Sequence, residues 1–356
     1  MLHTLGVAQY RVENYESALN TLQVSYEILK SYDSHHLFFI AMCHWHLEQQ
    51  DEATEAFKKA IAWMDANAPT DTELIQFRRE AIVLLSDHPK LNTAWRMQER
   101  EDWKGALTAY QLVITSLEQD DREVSDVNNI ALRIITRELA KLSARRLQNW
   151  EVATKATLQC HDLIRLQGKS PNIMDDHRLT MLLIETKRDK ERIEHVRKLV
   201  ESIDTEKEGA QTMRIVVHSA AFGPIADTEF SEKVLALAQA AANKEPDSSY
   251  TALLLGLAQL RAGKQILAIE NSERALSIWK RTSTQRSMAL SCIAMSEFQL
   301  GNQEVALKSL ELAREALPDL PEPDGKTDLG DSWRDMLSSK ALLEEASKLL
   351  EEAVEE

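Results

Sequence analysis

A repeated spacing of small and bulky residues constrains the fold of this chain more than any other feature. The first instance is centred on Ala18, with Leu5 thirteen residues before it, and Leu22 and Ser25 four and seven residues after it. The spacing recurs around Ala53, Ala106, Ala268 and Ala306, and more weakly around Ala153. Offsets of four and seven lie on one helix face, and the step of thirteen crosses a short turn. The pattern therefore predicts antiparallel hairpins of a helix A, a tight turn and a helix B.

Small residues and turn residues fall where such hairpins need them. The small residues let two helices approach closely, and they are Gly6, Ala41, Ala60, Gly256, Ala275, Ala294 and Ala313. Turn-forming stretches lie between the paired helices, at VENYES, EQQDEA, EREDWKGA, RAGKQI and QLGNQE. The chain has only 10 Gly and 8 Pro in 356 residues, and this scarcity of helix breakers favours an all-α protein.

The pattern resembles the tetratricopeptide repeat, a helix hairpin of about 34 residues with Leu-Gly in helix A and Ala, a bulky residue and Ala in helix B. The match is clear over 1–66 and 250–318, good near 88–118 and fair near 136–167. The sequence departs from the family at Leu37, where an aromatic is usual, and at Ser25, where Ala is usual. The resemblance implies a right-handed superhelical solenoid with degenerate central repeats and a concave face that binds partners.

The C-terminal part carries a narrower resemblance. From RIVVHSAAFG onwards, the sequence is similar to tetratricopeptide tails that follow serine/threonine kinase domains in planctomycete-type bacteria. This resemblance implies an alternative function, as a regulatory tail or fragment of a kinase-linked signalling protein. The chain has no Gly-rich loop, His-Arg-Asp loop or Asp-Phe-Gly, so it is not itself a kinase.

The composition along the chain predicts five parts. They are an N-terminal hairpin pair (1–66), central degenerate hairpins (67–203), C-terminal hairpins (204–316, with the clear pair at 250–316), a Pro/Gly linker (317–332) and a terminal amphipathic helix (333–356). The terminal helix is expected to fold back as a cap over the last hairpin, with a free coiled-coil segment as the alternative. Met1 falls inside the first helix A, so that helix is either exposed and frayed or part of a longer array.

Charge and cysteine content exclude several classes of protein. The net charge is −15, and no basic stripe of the kind that binds phosphates is present, so neither nucleic acid nor an anionic membrane is an expected partner. The N-terminus lacks the pattern of a signal peptide, and the longest apolar run, ALLLGLA, is too short to span a bilayer. Three Cys in apolar helical contexts fit buried, reduced thiols in a cytoplasmic protein.

Three short stretches could suggest chemistry, and each has a simpler interpretation. GKS at 168–170 lacks the earlier Gly of a phosphate loop and is followed by Pro171. HHLFFIAMCHWH at 35–46 holds four His and one Cys, but they point in different directions around one helix, whereas zinc needs converging ligands. CHD at 160–162 places its residues side by side on a helix, where they point apart. We therefore expect no catalytic residues, no cofactor and no metal.

The remaining function is binding of a protein or peptide. On helix A, the residues one register away from the packing positions should face the groove, and in the N-terminal hairpins they are apolar and aromatic. The candidate partner-binding residues are Tyr10, Arg11, Phe38, Met42, Trp45, His46 and Trp95. The same register in the C-terminal pair gives Leu253, Leu257, Leu260, Arg261, Met295 and Phe298. The sequence predicts a scaffold that binds an apolar or amphipathic segment there; the alternative is that these side chains pack against neighbouring hairpins.

Overall fold

The computed structural model describes residues 1–29, 33–86, 90–118, 126–223, 227–278 and 283–352. These residues form 18 α-helices and one short 3₁₀ turn, with no strand among them. The chain divides into two compact units, residues 1–139 and 140–356. This boundary falls inside a helix, at neither 66/67 nor 203/204, and the predicted five-part division stays a prediction.

The N-terminal unit consists of hairpins and one additional helix. Its helices are α1 (Leu2–Arg11), α2 (Tyr15–Leu29), α3 (Asp33–His46), α4 (Gln50–Asn67), α5 (Thr72–Leu85), α6 (Lys90–Glu99), α7 (Trp103–Glu118) and the first part of α8 (Asp126–Arg145). The pairs α1/α2, α3/α4 and α6/α7 are hairpins. Among the described residues, α5 has no paired helix B. It is capped by Asp71, whose carboxylate accepts hydrogen bonds from Glu73 N (2.9 Å) and Leu74 N (3.0 Å).

The C-terminal unit continues the series from the end of α8. Its helices are α9 (Trp150–Leu166), α10 (Ile173–Glu185), α11 (Asp189–Glu201), α12 (Ala210–Ala221), α13 (Thr228–Lys244), α14 (Ser249–Arg261), α15 (Gln265–Ile278), α16 (Thr284–Gln299), α17 (Gln303–Ala316) and α18 (Trp333–Glu352). The hairpins α10/α11, α12/α13, α14/α15 and α16/α17 stack in order, with each A helix packed against the preceding hairpin.

Small side chains occupy the predicted helix crossings. The five repeat-defining Ala residues have no exposed surface, and they are Ala18, Ala53, Ala106, Ala268 and Ala306. At Gly256, an added Cβ would lie 2.8 Å from Ser272 Oγ and 3.0 Å from the carbonyl oxygen of Ala268. At Gly6, it would lie 2.5 Å from Leu22 Cγ. These approaches confirm that the small residues permit close packing within each hairpin.

Seven hairpin turns among the described residues contain a residue in the left-handed backbone region, five residues before the position that the repeat-defining Ala occupies in the regular hairpins. These residues are Glu13, Glu48, Glu101, Gln148, Lys187, Gly263 and Gly301. The series includes Lys187, in a hairpin that the small-residue pattern did not reveal. There the position of the repeat Ala is taken by Arg192, which is 1% exposed and donates from Nη1 to the carbonyl oxygen of Phe222 at 3.0 Å. The degenerate repeat therefore keeps the turn geometry while changing the packing residue.

The predicted linker is an ordered strap, defined as residues 317–332. Both oxygens of Asp328 accept hydrogen bonds from Arg145 at 2.9 Å, and the amide of Leu329 donates to the carbonyl oxygen of Arg145 at 3.0 Å. Leu329 is buried together with Trp333 beside α9 and α10. The strap thus joins α17 to α18 while packing against other hairpins of the same unit.

Candidate functional site

In the N-terminal unit, the A-helix face of the first two hairpins is covered by α5. Helix α5 packs mainly against α3, whereas the A helices α3, α14 and α16 each pack more against the preceding B helix than against the preceding A helix. Phe77 of α5 makes an edge-to-face contact with Phe39 of α3, with ring centroids 4.8 Å apart. Glu80 of α5 forms a bidentate ion pair with Arg11 of α1, in which Arg11 Nη2 donates to Oε2 at 2.8 Å. The chain itself therefore occupies part of the face predicted to bind a partner.

Four of the seven predicted partner-binding residues are buried. Phe38 and Met42 have no exposed surface, and Tyr10 and Trp95 are 8% and 4% exposed. Phe38 packs against Phe57 of α4 with ring centroids 6.1 Å apart, and the hydroxyl of Tyr10 donates to Met42 Sδ at 3.6 Å. All four side chains lie under neighbouring helices, as the alternative interpretation of packing has it, so their expected exposure to a groove is corrected. Their role in partner binding stays a prediction.

The other three predicted residues keep accessible surface. The Arg11 side chain is 49% exposed and lies over the ring of Phe39, at 5.4 Å from its centroid. His46 is exposed and stacks on Tyr15, with ring centroids 4.1 Å apart and an interplanar angle of 8°. Trp45 is half-buried next to it in sequence. Trp95 lies apart from these residues, on α6, where the guanidinium of Arg79 stands 5.4 Å from its ring centroid.

In the C-terminal unit, α18 lies across the A-helix face of successive hairpins. Its apolar side chains Trp333, Leu337, Leu342, Ala346 and Leu350 are each at most 3% exposed. The first two pack with residues of α9 and α10, and the last three belong to the cluster formed by α12, α14 and α16. Helix α18 packs mainly along α16 and also on α10, and it reaches α12 and α14 through Ser338 and Glu345.

Ion pairs fix α18 on this face at two points. Arg261 of α14 and Glu345 of α18 form a bidentate pair, with the Nη2 to Oε2 bond at 2.7 Å. Arg261 also donates from Nε to the carbonyl oxygen of Ala221 at 2.8 Å. Five residues before Glu345, Lys340 Nζ lies 2.9 Å from Glu185 Oε1 of α10. Charged hydrogen bonds of this kind are short and directional, so they set the register of α18 as well as holding it.

A buried polar cluster lies under the first half of α18. Ser338 Oγ is 2.8 Å from His218 Nε2, and the hydroxyl of Tyr250 is hydrogen-bonded to His218 Nδ1. The ring of His177 lies 4.5 Å from that of His218 and bonds to Ser219 Oγ at 2.9 Å. Burial, with a smaller contribution from Arg334, lowers the pKa of His218 to about 3, and burial also lowers the pKa of His177. Both imidazoles are therefore neutral around pH 7, and they serve as hydrogen-bonding groups.

The described part of the chain contains no group of three or more His, Cys, Asp or Glu arranged to hold a metal ion. Burial raises the pKa of Cys43 to about 12 and that of Cys292 to about 11, so both thiols are protonated at neutral pH. Gly168 of the GKS stretch adopts a φ of 67° where α9 ends, and its amide donates to the carbonyl oxygen of Arg165 at 2.9 Å. This is the geometry of a helix C-terminus. Among the helices described, none combines the length and apolar character needed to cross a membrane.

The sequence interpretation anticipated the C-terminal cap and missed its full extent. Helix α18 does pack on α16 and α17, as a cap over the last hairpin would, but it also reaches α10, α12 and α14. Arg261 belongs to the predicted groove-facing register, and its guanidinium contacts Glu345 of α18. The alternation of charges on α18, with Lys340 and Glu345 five residues apart, was the available signal. The sequence does not show which residues these charges pair with, whereas the structure pairs Lys340 with Glu185 and Glu345 with Arg261.

No protein-family model matches the sequence, and no curated protein matches it. Among solved structures, a tetratricopeptide repeat protein from Parabacteroides merdae is similar over 89% of this chain and 98% of its own, with 12% identity and a TM-score of 0.41. MamA is similar over 52% of this chain and 95% of its own (17% identity, TM-score 0.33). The tetratricopeptide domain of P58(IPK) is similar over 98% and 97% (13% identity, TM-score 0.27).

These similarities concern the fold alone, and they assign no partner to this chain. The predicted all-helical architecture of tetratricopeptide-like hairpins is confirmed by the hairpins themselves, with their buried Ala positions and left-handed turns. The resemblance to kinase-linked tails receives no support from the comparisons.

Proposed function

We propose that this chain is a non-catalytic protein-interaction scaffold that binds an apolar or amphipathic segment of a partner protein on the A-helix face of its hairpins. The observation that carries the proposal is the position of α18. An amphipathic helix already lies across α10, α12, α14 and α16, with its apolar residues buried and its charged residues paired. A face that accepts such a helix in cis has the chemistry to accept one in trans, because helix-in-groove recognition uses the same contacts.

The accessible residues of the N-terminal unit suggest a smaller, additional contact. Arg11, Trp45 and His46 have surface available to a partner, and aromatic and Arg side chains are common anchors of protein interfaces. For Phe38 and Met42, contact with a partner would require opening of the first two hairpins, since neither side chain has exposed surface. The proposed partner contact in this unit is therefore restricted to the three accessible side chains.

The test uses the full chain with a cleavable strap. A protease recognition sequence is inserted between Glu322 and Pro323, which are both exposed, and the folded protein is cut so that α18 is held only by its contacts. A fluorescent peptide of residues 333–352 is then added, and exchange is followed by anisotropy. A peptide of the same composition in scrambled order is the control.

Saturable exchange of the native peptide and no binding of the scrambled one would support a face that receives a free amphipathic helix. If the resident α18 never exchanges and no peptide binds under conditions in which the fold is intact by circular dichroism, α18 is a permanent part of the core. The proposed use of this face would then be wrong.

A further inference from the structure

We propose that α18 is a self-ligand whose charge order describes the partner: an amphipathic helix that places a basic residue against Glu185 and, five residues later, an acidic residue against Arg261, in competition with α18. This inference rests on the proposed function, and it specifies the partner chemistry at the same face. It follows from three features of the two ion pairs.

The first feature is that the groove side of one pair is already oriented. The Arg261 side chain is only 7% exposed, and its Nε is held by the carbonyl oxygen of Ala221 at 2.8 Å. That bond lies within the hairpin stack and does not involve α18. The two Nη groups are thus directed at the position of Glu345, and a partner with a carboxylate there would meet a fork that is largely preorganised.

The second feature is the opposite polarity of the two pairs. Glu185 is 17% exposed and faces Lys340, whereas Arg261 faces Glu345. Five residues span about 7.5 Å along a helix, so the face presents an anionic and a cationic site at a fixed separation. A helix running in the reverse direction, or one with the two charges exchanged, would bring like charges together. The face therefore selects both the order of charges and the direction of the helix.

The third feature is the apolar seam, which both charge sites flank. Leu337 and Leu342 are buried before and after Lys340, and Ala346 follows Glu345 with no exposed surface. A partner helix consequently needs large apolar residues on the N-terminal side of the seam and a small residue beside its acid. These requirements on side-chain size make the site more selective than one that needs only an apolar stripe on the partner helix.

Competition with α18 sets how tightly such a partner must bind. The strap attaches α18 to the face it occupies, and short tethers give effective concentrations in the millimolar range. A partner helix can bind only the molecules from which α18 has dissociated. The intact chain contains a smaller fraction of such molecules than the cut chain, so the partner's apparent affinity for the intact chain is lower by that ratio. The anchoring of Asp328 by Arg145 adds to this restraint.

The experiment compares peptide variants on the strap-cut full chain. Glu345→Lys in the 333–352 peptide is expected to weaken binding at least about tenfold, because it places a cation against the buried Arg261. The matched control is Glu344→Lys, which makes the same charge change at a neighbouring side chain that is 62% exposed and that contacts only Lys340 of the same helix, at 4.0 Å. An exposed pair of this kind contributes little, so this peptide is expected to stay within about threefold of the native one.

A charge exchange at the second pair tests the assignment without altering Arg261. Lys340→Glu in the peptide is expected to weaken binding to the native chain, and Glu185→Lys in the protein is expected to restore it. Binding of the native peptide to the uncut chain should be weaker than to the cut chain.

The outcomes separate the two proposals. If no peptide binds even the cut chain, the proposed function fails. If the native peptide binds but Glu345→Lys and Glu344→Lys bind equally well, or Glu185→Lys gives no rescue, the face is used without reading charge order and the inference is overturned.

Discussion

The guanidinium of Arg261 and the carboxylate of Glu345 are joined by two parallel hydrogen bonds, although the residues are 84 positions apart in the sequence. Arg261 lies at the end of α14, in the groove-facing register of its hairpin, and Glu345 lies near the middle of α18. The pair links the repeat stack to a helix outside the repeat pattern. The loss of unfolding free energy when this pair is broken therefore measures how strongly α18 is held.

Replacing Glu345 with Ala should destabilise the C-terminal unit by about 2–3 kcal/mol. The change leaves Arg261 at 7% exposure without its carboxylate, and an uncompensated buried charge costs more than the lost attraction of a surface pair. Glu344→Ala, on the exposed side of the same helix turn, should change stability by no more than about 0.5 kcal/mol. Urea unfolding followed by circular dichroism would measure both variants, and equal effects would show that the pair does not hold α18.

Gly256→Ala should destabilise the protein although it replaces a helical Gly with the best helix former. The added Cβ would lie 3.0 Å from the backbone oxygen of Ala268, which cannot move without shifting α15. We expect a net loss of about 1–3 kcal/mol from overpacking, against a gain of about 1 kcal/mol from helix propensity. Gly209→Ala is the control for the steric effect alone, because Gly209 is the N-cap of α12 and a Cβ there meets nothing within 4 Å. Thermal unfolding of the two variants would test this prediction. A higher melting temperature in Gly256→Ala than in the native chain would contradict it.

Removing a Gly from a hairpin turn should lower the stability of the protein, and introducing a Gly into another turn should raise it. Gly301 has a φ of 86° with open space around it, so Gly301→Ala should cost about 1–2 kcal/mol through backbone strain alone. Lys187 has a φ of 55°, and Lys187→Gly should relieve that strain and stabilise by up to about 1 kcal/mol, net of the greater freedom that Gly has in the unfolded chain. Denaturation midpoints would decide: a destabilised Lys187→Gly would contradict the shared turn geometry.

The sequence predicted the hairpins wherever the repeat uses small residues, since an Ala at a helix crossing leaves a local and periodic signal. It failed at α10/α11, because Arg192 takes the place of Ala there. Its guanidinium pairs with Asp189 and also donates to the carbonyl oxygen of Phe222, 30 residues later, which no local pattern reveals. It also could not assign the covers of the A-helix faces. An apolar stripe identifies side chains that need burial, whereas the choice of α5 for α3 and of α18 for α10–α16 depends on contacts such as Phe39–Phe77, which no local pattern encodes.

The buried imidazole of His218 should make the C-terminal unit less stable as the pH falls below 6.5. Its folded pKa of about 3 is below the unfolded value of about 6.5, so the unfolded state binds more protons across this window and gains stability as pH decreases. The loss between pH 7 and pH 5 is up to about 2 kcal/mol for one such group. His177, Arg334, Tyr250 and Ser338 surround the ring, and none of them is a carboxylate that would favour imidazolium.

Asp176 should act in the opposite direction, which supplies an internal control for the pH measurement. Burial raises its pKa to about 7, above the unfolded value of about 3.9, so its contribution to stability is present at low pH and is lost as pH rises through 7. The urea midpoint at pH 7 minus the midpoint at pH 5 should therefore be smaller in His218→Gln than in the native chain, and larger in Asp176→Asn. Shifts of the same sign in both variants would mean that one of the two environments is wrongly described.

In the N-terminal unit, truncating a buried aromatic side chain should cost more stability than truncating an accessible one. Phe38 has no exposed surface and packs against Phe57, so Phe38→Ala should cost about 3–5 kcal/mol through lost burial and an unfilled cavity. His46→Ala removes only an exposed ring stacked on Tyr15 and should cost no more than about 1 kcal/mol. Guanidinium unfolding of the two variants gives the comparison. A partner could contact Phe38 only after the hairpins open. If Phe38→Ala lost partner binding with its stability unchanged, the assignment of Phe38 to the core would be overturned. If His46→Ala lost partner binding at full stability, the partner would contact the accessible surface around His46.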